Sequence, residues 1–450
     1  MASLIVVNIV FFSRALPIVF WIFGMVEALS FFYFSNLLTR KWADYSPRLF
    51  TRKLFTTALV IRVVWVIFSY FFYLTMTGQP FEFSSADAIL YDRLARAFAA
   101  VGIENYEQVF ADMPLSDRGY GTYLGIVYMI TGDSIFIARI IKALLGAFLS
   151  VLIYRLTTRN FGEETGKMAG IFCMLMPNLI YYSGLHLKEA EMVFLVVAFI
   201  ERADYIIRSS KFSIVNFILP VLLAAVLFTF RTVLGAAALF AFITALLLSS
   251  AQVVKKTGKR ILLTIWVLLA IAYFAGGKIA MELEEVWAAR TDNQSTSMEW
   301  RAKREGGNKF ATLATKSVFA PMIFVIPFPT MVNTPGQENQ QLLHGGNYVK
   351  NILAFFVMYA LFLIIKERKW KDYLLIIFFT IVYLAIMALS AFAQSERFHQ
   401  PVLPFLMVLA AYGISRATNQ TKKYFTWYMV FMFVAIVGWS WFKLAGRGMA

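Results

Sequence analysis

The sequence predicts an all-α, polytopic transmembrane helical bundle of about twelve spans, with short interfacial helices in the loops of one face. Three observations predict it. First, of 450 residues, 60% are hydrophobic and only 15% charged, whereas soluble proteins carry about a quarter charged residues. With a mean hydropathy of +0.67, a soluble domain would lack the polar groups to cover its surface. Second, apolar runs recur along the chain at close to the ~20 residues that a bilayer requires. Third, basic residues collect in alternate short connections between those runs.

The predicted spans, in order, are Leu16–Leu38, Leu54–Met76, Ile135–Tyr154, Met168–Tyr182, Ala190–Ile206, Ile214–Phe230, Thr232–Leu248, Ile261–Phe274, Ile352–Ile365, Tyr373–Ala393, Val402–Ile414 and Phe425–Phe442. No basic region precedes the first of them and no small-residue cleavage site follows, so it reads as a span and not as a cleavable leader. Glu27 within it is expected to face other helices or water, because a carboxylate in lipid costs roughly 2.5 kcal/mol or more. Gly121–Ile130 is too short to span and reads as an interfacial helix.

Arg40, Lys41, Arg48, Arg52 and Lys53 separate the first two spans. Further clusters (Arg155, Arg159 and Lys167; Arg202, Arg208 and Lys211; Lys255, Lys256, Lys259 and Arg260; Lys366, Arg368, Lys369 and Lys371; Arg416, Lys422 and Lys423) all fall on the same side. The positive-inside rule makes that side cytoplasmic and places the chain in the inner, cytoplasmic membrane. Much of the net charge of +16 is then accounted for without a nucleic-acid partner. Lys443 and Arg447 go against the pattern, because they are placed outside.

The chain divides into an N-terminal helix with a basic linker (1–53), a transmembrane core that includes the first external loop (54–275, loop 77–118), a second external loop (276–348) and C-terminal transmembrane helices (349–450). The first loop is acidic, with Glu82, Asp87, Asp92, Glu104, Glu107, Asp112 and Asp117. The second holds Trp287, Trp300 and the apolar stretch FAPMIFVIPFPTMVNTP. Loops of this length are usually functional or disordered, and their aromatic and apolar content argues for an ordered cap.

Cys173 is the single cysteine, which excludes an intrachain disulfide and a cysteine metal cage. His186, His344 and His399 are too scattered for a His-rich metal site, and His186 and His399 are expected at the interface. There is no Walker-type phosphate loop and no strand-borne GxGxxG, so no nucleotide site is expected.

Within SSADAILYDRLARAFAAVG the apolar positions recur at helical spacing, Ser84 or Ser85 suits the cap, and Asp87 falls in the first turn, where the helix dipole favours its ionised form. An acidic residue just after a span, followed by a tyrosine and a Leu-Ala helix, resembles the first external loop of the GT-C glycosyltransferases, which include protein O-mannosyltransferases, lipid A aminoarabinose transferases and family-39-like membrane proteins. Other stretches resemble the same family in the same order. SDRGYGTYLGIVYMITGD carries Asp117, AGIFCMLMPNLIYYSGLHLKEAEMVFL carries Glu189, FTFRTVLGAAALF carries Arg231, and SERFHQPVLPFLMVLAAYGI carries Arg397.

The resemblance implies a glycosyltransferase with Asp87 as catalytic base and a polyprenyl-phosphate or -diphosphate sugar as donor. The acceptor it implies would be a hydroxyl of a glycan, lipid or protein. Direct displacement would invert the anomeric centre and needs no second carboxylate as nucleophile. Developing charge on the phosphate calls for cations, and Arg231 and Arg397 suit that role because a guanidinium grips phosphate in bidentate fashion. A divalent metal ion held by Asp87 with Asp117 or Glu189 would share it, although Ala88 stands where the family often has a second acid.

Structural roles fit these residues as well: Asp117 as a helix cap, Glu189 paired with Lys188 or starting its helix, Arg231 snorkelling, and Arg397 paired with Glu396. Arg139 and Lys142 suit either lipid phosphate or packing within the bundle. Two alternative functions remain. A polysaccharide polymerase or ligase would draw on Arg290, Arg301 and Arg304, and a flippase for the lipid-linked sugar would be expected to show repeated halves, which are not evident.

Overall fold

The structure is a computed structural model that describes residues 2–209, 214–249, 264–266, 322–388 and 395–445. The helices run in the order α1 (Ala2–Val10), α2 (Ile18–Lys41), α3 (Pro47–Thr77), α4 (Ala86–Val101), α5 (Tyr106–Phe110), α6 (Leu115–Thr131), α7 (Ile135–Phe161), α8 (Glu163–Leu175), α9 (Pro177–Ser183), α10 (Glu189–Arg208), α11 (Ile214–Phe230) and α12 (Thr232–Leu248). After the undescribed stretch come α13 (Glu338–Leu342), α14 (His344–Lys366), α15 (Leu374–Ala388), α16 (Glu396–His399), α17 (Leu403–Ser415) and α18 (Asn419–Ala445). No strand occurs among the described residues.

Six helical segments among the described residues are long and apolar enough to cross a bilayer: α2, α3, α7, α14, the α16–α17 run and α18. The chain is therefore a multi-pass membrane protein, but the count of twelve is not reached on this criterion. α11, α12 and α15 are apolar and shorter, and the expected span Ile261–Phe274 lies almost wholly outside the described residues. The expected span Met168–Tyr182 is two helices. Pro177 has no amide hydrogen and drives Met176 to an extended ψ of 115°, which ends α8 and starts α9.

Local chemistry sets several helix ends. Ser46 Oγ accepts from the Leu49 amide ahead of Pro47, and Gly78 at φ 77° closes α3. Ser134 Oγ caps α7. α1 was not foreseen. It is a separate outer helix whose Leu4 and Val7 are buried, and Asn8 Nδ2 donates to the Met331 carbonyl at 3.3 Å.

Contacts at the two ends agree with the charge pattern. At one end, Lys167 Nζ donates to the Ala43 and Tyr45 carbonyls at 2.7 Å each, Arg159 Nε to Asp204 at 2.6 Å and Arg208 Nη2 to the Asp372 carbonyl at 2.7 Å. The short basic connections thus converge on one basic end. At the opposite end, Asn339 Nδ2 donates to the Phe83 carbonyl at 2.7 Å and joins the two long loops. Lys443, which opposed the charge rule, is held there by Gln337 and Gln340 at 2.9 and 3.0 Å.

Close backbone packing fixes α14 at the centre. A Cβ on Gly345 would stand 2.2 Å from the Gly24 carbonyl oxygen, and one on Gly413 2.2 Å from that of Phe356. Small residues let α2, α14 and α17 approach backbone to backbone, as packed membrane helices do. Glu27 is resolved by the same approach, because its Oε2 accepts from the Gly346 amide at 2.9 Å. The intramembrane carboxylate thereby faces a helix start and not lipid.

Candidate functional site

α4 lies against α6 at the end opposite the basic turns, and Tyr91 meets Tyr120 edge-on at 5.0 Å. This pair of helices carries Asp87 and Asp117 to the mouth of the bundle. Asp87 occupies the first turn of α4, as expected. The expected serine cap is absent, since Ser85 stands at the cap position without a side-chain hydrogen bond.

Arg397, at the start of α16, joins distant parts of the chain. Its Nη1 donates to Asp87 Oδ2 and its Nε to Glu189 Oε1. These partners are 310 and 208 residues away in sequence. The expected structural partner Glu396 is not used. Glu189 is fully buried, Arg397 is about one-fifth exposed and Asp87 is half exposed, so the triad runs from the interior to an accessible carboxylate. Glu189 Oε2 is buried without a hydrogen-bond partner.

A second pair stands alongside. Lys188 Nζ donates to Asp117 Oδ1 and to the Ser116 carbonyl, and Tyr91 OH donates to the same Asp117 oxygen at 2.7 Å. Lys188 is thus drawn from its neighbour Glu189 to Asp117. Burial alone would raise the Asp117 carboxyl, but the Lys188 ammonium and the two hydrogen bonds outweigh it and hold the group below the usual carboxylate range. A depressed carboxylate stabilises the fold above its unfolded pKa of ~4 and loses that contribution as pH falls through the folded value. Thermal unfolding between pH 7 and pH 3 is therefore expected to cost the wild type more than Asp117→Asn, and equal losses would remove Asp117 from this role.

Arg231 lies in the break between α11 and α12 with an extended backbone, φ −165°. Its guanidinium lies 4.3 Å from the centre of the Phe398 ring, and Nη1 is buried without a hydrogen-bond partner. Both expected phosphate-binding arginines therefore flank α16, one from within it and one over its aromatic residue.

The three acids expected at a metal ion are ion-paired in this structure. Asp87 and Glu189 share the Arg397 guanidinium where a cation would sit, and Asp117 is taken by Lys188. Among the described residues no three acidic, His or Cys side chains group to hold an ion.

Beneath the mouth, Arg139 and Lys142 are fully buried. Lys142 Nζ donates to the Leu185 and Leu187 carbonyls at 2.8 and 2.5 Å and to Tyr120 OH at 2.9 Å, and stands 3.4 Å from Glu191. Arg139 donates to the Pro80 carbonyl. Of the two roles open to them, packing within the bundle is the one adopted. His186 is fully buried, with Nε2 3.2 Å from Tyr128 OH. His399 is buried beside Lys350 Nζ at 3.1 Å.

Read from sequence, Glu82 is only one acid of the loop, Lys188 only a partner for Glu189, and Tyr91 has no role at the site. Glu82 is buried with Oε2 unpartnered, and burial pushes its carboxyl up. A buried acid in an acidic loop has no local signature. Trp287, Trp300, Arg290, Arg301 and Arg304 lie outside the described residues.

No family model matches the chain, and no curated protein does. Among solved structures it is similar to the archaeal oligosaccharyltransferase AglB from Archaeoglobus fulgidus, in complex with an inhibitory peptide and a dolichol-phosphate, with TM-score 0.45 and 13% identity over 91% of this chain and 56% of that one. It is also similar to the Archaeoglobus fulgidus oligosaccharyltransferase in complex with Zn and sulfate, with TM-score 0.43 and 14% identity over 88% of this chain and 53% of that one. The chain spans little more than half the length of either.

Proposed function

We propose that the chain is an integral-membrane glycosyltransferase of the GT-C type. It transfers a sugar from a polyprenyl-phosphate or -diphosphate carrier to an acceptor hydroxyl at the membrane face opposite the basic turns, in the inner membrane the periplasmic face. The observation that carries this reading is the convergence of Asp87, Glu189 and Arg397 at the mouth of the bundle, with Arg231 over the adjoining Phe398. Charged groups at the mouth of a membrane bundle suit a substrate whose head is polar and whose tail stays in lipid.

In this reading Arg397 is the donor-phosphate clamp and Glu189, fully buried behind it, fixes its direction. Asp87 neutralises the guanidinium until a phosphate arrives. With the phosphate on Arg397 and Arg231, Asp87 is released to act as base. The acceptor oxygen attacks the anomeric carbon and its proton passes to Asp87. The C–O bond to the carrier breaks with both electrons on the phosphate oxygen, and the anomeric centre inverts. The arginines stabilise the charge as it develops on the leaving phosphate.

Arg397→Lys tests the clamp. Lysine keeps the charge but loses the fork that spans two anions. Transfer from a panel of polyprenyl-phosphate sugars is expected to fall ~100-fold or more in kcat/KM, on the scale of losing one preorganised charge-stabilising donor. A variant that folds and transfers at the wild-type rate would remove Arg397 from the chemistry.

A further inference from the structure

We infer that the basic end of the protein holds a second lipid site, a cleft for an anionic membrane lipid with a phosphate headgroup. The cleft is about 890 Å³ and opens between the start of α3 and the end of α7. It lies at the opposite end of the bundle from Asp87, so it stands or falls independently of the transferase reading.

The two helices are antiparallel and present the same order of side chains from the basic end inward. On α3 the order is Arg48, Arg52, Phe55, and on α7 it is Arg159, Arg155, Phe148. Spacings of three, four or seven residues keep each set on one helix face. Phe55 and Phe148 pack at 4.8 Å between ring centres, and Phe148 is 45% exposed on a span whose other side, with Ala143, Ser150 and Ile153, is buried in the bundle. The cleft thus has a cationic rim and an aromatic floor along the bilayer normal, which is the profile of a lipid headgroup followed by its chains.

Of the four arginines on the rim, only Arg159 is paired with an acid among the described residues. Arg159 is committed to Asp204 and Glu201, at 2.6 and 3.1 Å. Arg48, Arg52 and Arg155 make no ion pair among the described residues, and Glu163 beside them pairs instead with Lys167 at 3.8 Å. Glu163 is the one acid on the lining, and its Oε1 accepts from Tyr154 OH at 2.6 Å. Clustered arginines at the end of membrane helices attract anionic lipid, and the guanidinium fork suits phosphate oxygens.

The test uses the purified full chain in detergent, titrated with phosphatidylglycerol or phosphatidylcholine and read by native mass spectrometry. Arg48→Ala/Arg52→Ala/Arg155→Ala is compared with Arg416→Ala/Lys422→Ala/Lys423→Ala, an equal charge loss at the same end. The cleft variant is expected to lose about tenfold or more of its phosphatidylglycerol occupancy, with phosphatidylcholine unchanged and the control unaffected. Phe148→Ala, which leaves every charge in place, is expected to weaken phosphatidylglycerol alone and provides a second readout if the triple variant does not fold. Equal loss in both triple variants, or none in the cleft variant, would overturn the site. Displacement of the lipid by inorganic phosphate would assign the rim to the free anion and overturn the lipid reading.

Discussion

Asp87→Asn is expected to abolish transfer while leaving the protein abundant. The substitution keeps the shape of the side chain and one acceptor for Arg397, but an amide cannot take the acceptor's proton. General-base catalysis is worth roughly 10²- to 10⁴-fold, so kcat should fall by that order with donor KM little changed. Asp87 is half exposed at the mouth, and an ion pair exposed to that degree contributes only about 0–1 kcal/mol. In cells, undelivered lipid-linked donor should accumulate on the outer leaflet. A flippase predicts the reverse, with donor retained on the inner leaflet. Quantifying glycan output, protein level and donor by leaflet separates these outcomes. Unchanged glycan with normal protein would eliminate Asp87 as the base.

Lys142→Met is expected to have the largest effect on stability. Lys142 is fully buried and anchors the Leu185 and Leu187 carbonyls, which lie just ahead of Lys188 and Glu189. Neither oxygen of Glu191 has a hydrogen-bond partner, so the ammonium at 3.4 Å is what offsets its buried charge. Removing one partner of such a pair costs ~3–5 kcal/mol, most of it from the stranded charge. Thermal unfolding in detergent should show a large drop for Lys142→Met and partial recovery in Lys142→Met/Glu191→Leu. If the double variant were no better than the single, the stranded-carboxylate explanation would fail.

The membrane class and the side on which the acids lie were legible because hydropathy and basic turns are summed over many residues, so single errors average out. Asp87 was legible as a first-turn carboxylate from local helix periodicity. Its partner was not, since a contact spanning 310 residues leaves no trace in local pattern. Nearest-neighbour charge pairing failed twice for one reason. Lys188–Glu189 and Glu396–Arg397 are adjacent in sequence, yet adjacent helical side chains point apart, and Lys188, Glu189 and Arg397 each find a partner on another element. The break at Pro177 was written in the sequence but masked by hydropathy, which runs unbroken across it. The burial of Lys142 and Arg139 could not be read from their position in a span, because a long cation suits lipid phosphate and backbone carbonyls equally well.

The central claim is that Arg397 receives the phosphate of a lipid-borne donor and thereby frees Asp87. A structure of the full chain in nanodiscs with a non-transferable polyprenyl-phosphate sugar tests it most directly. The account predicts the phosphate within hydrogen-bond reach of Arg397 and Arg231, its chain leading into lipid, and Asp87 turned toward the anomeric carbon. The account would be contradicted by a donor bound elsewhere on the bundle, with Arg397 still joined to Asp87 and Glu189.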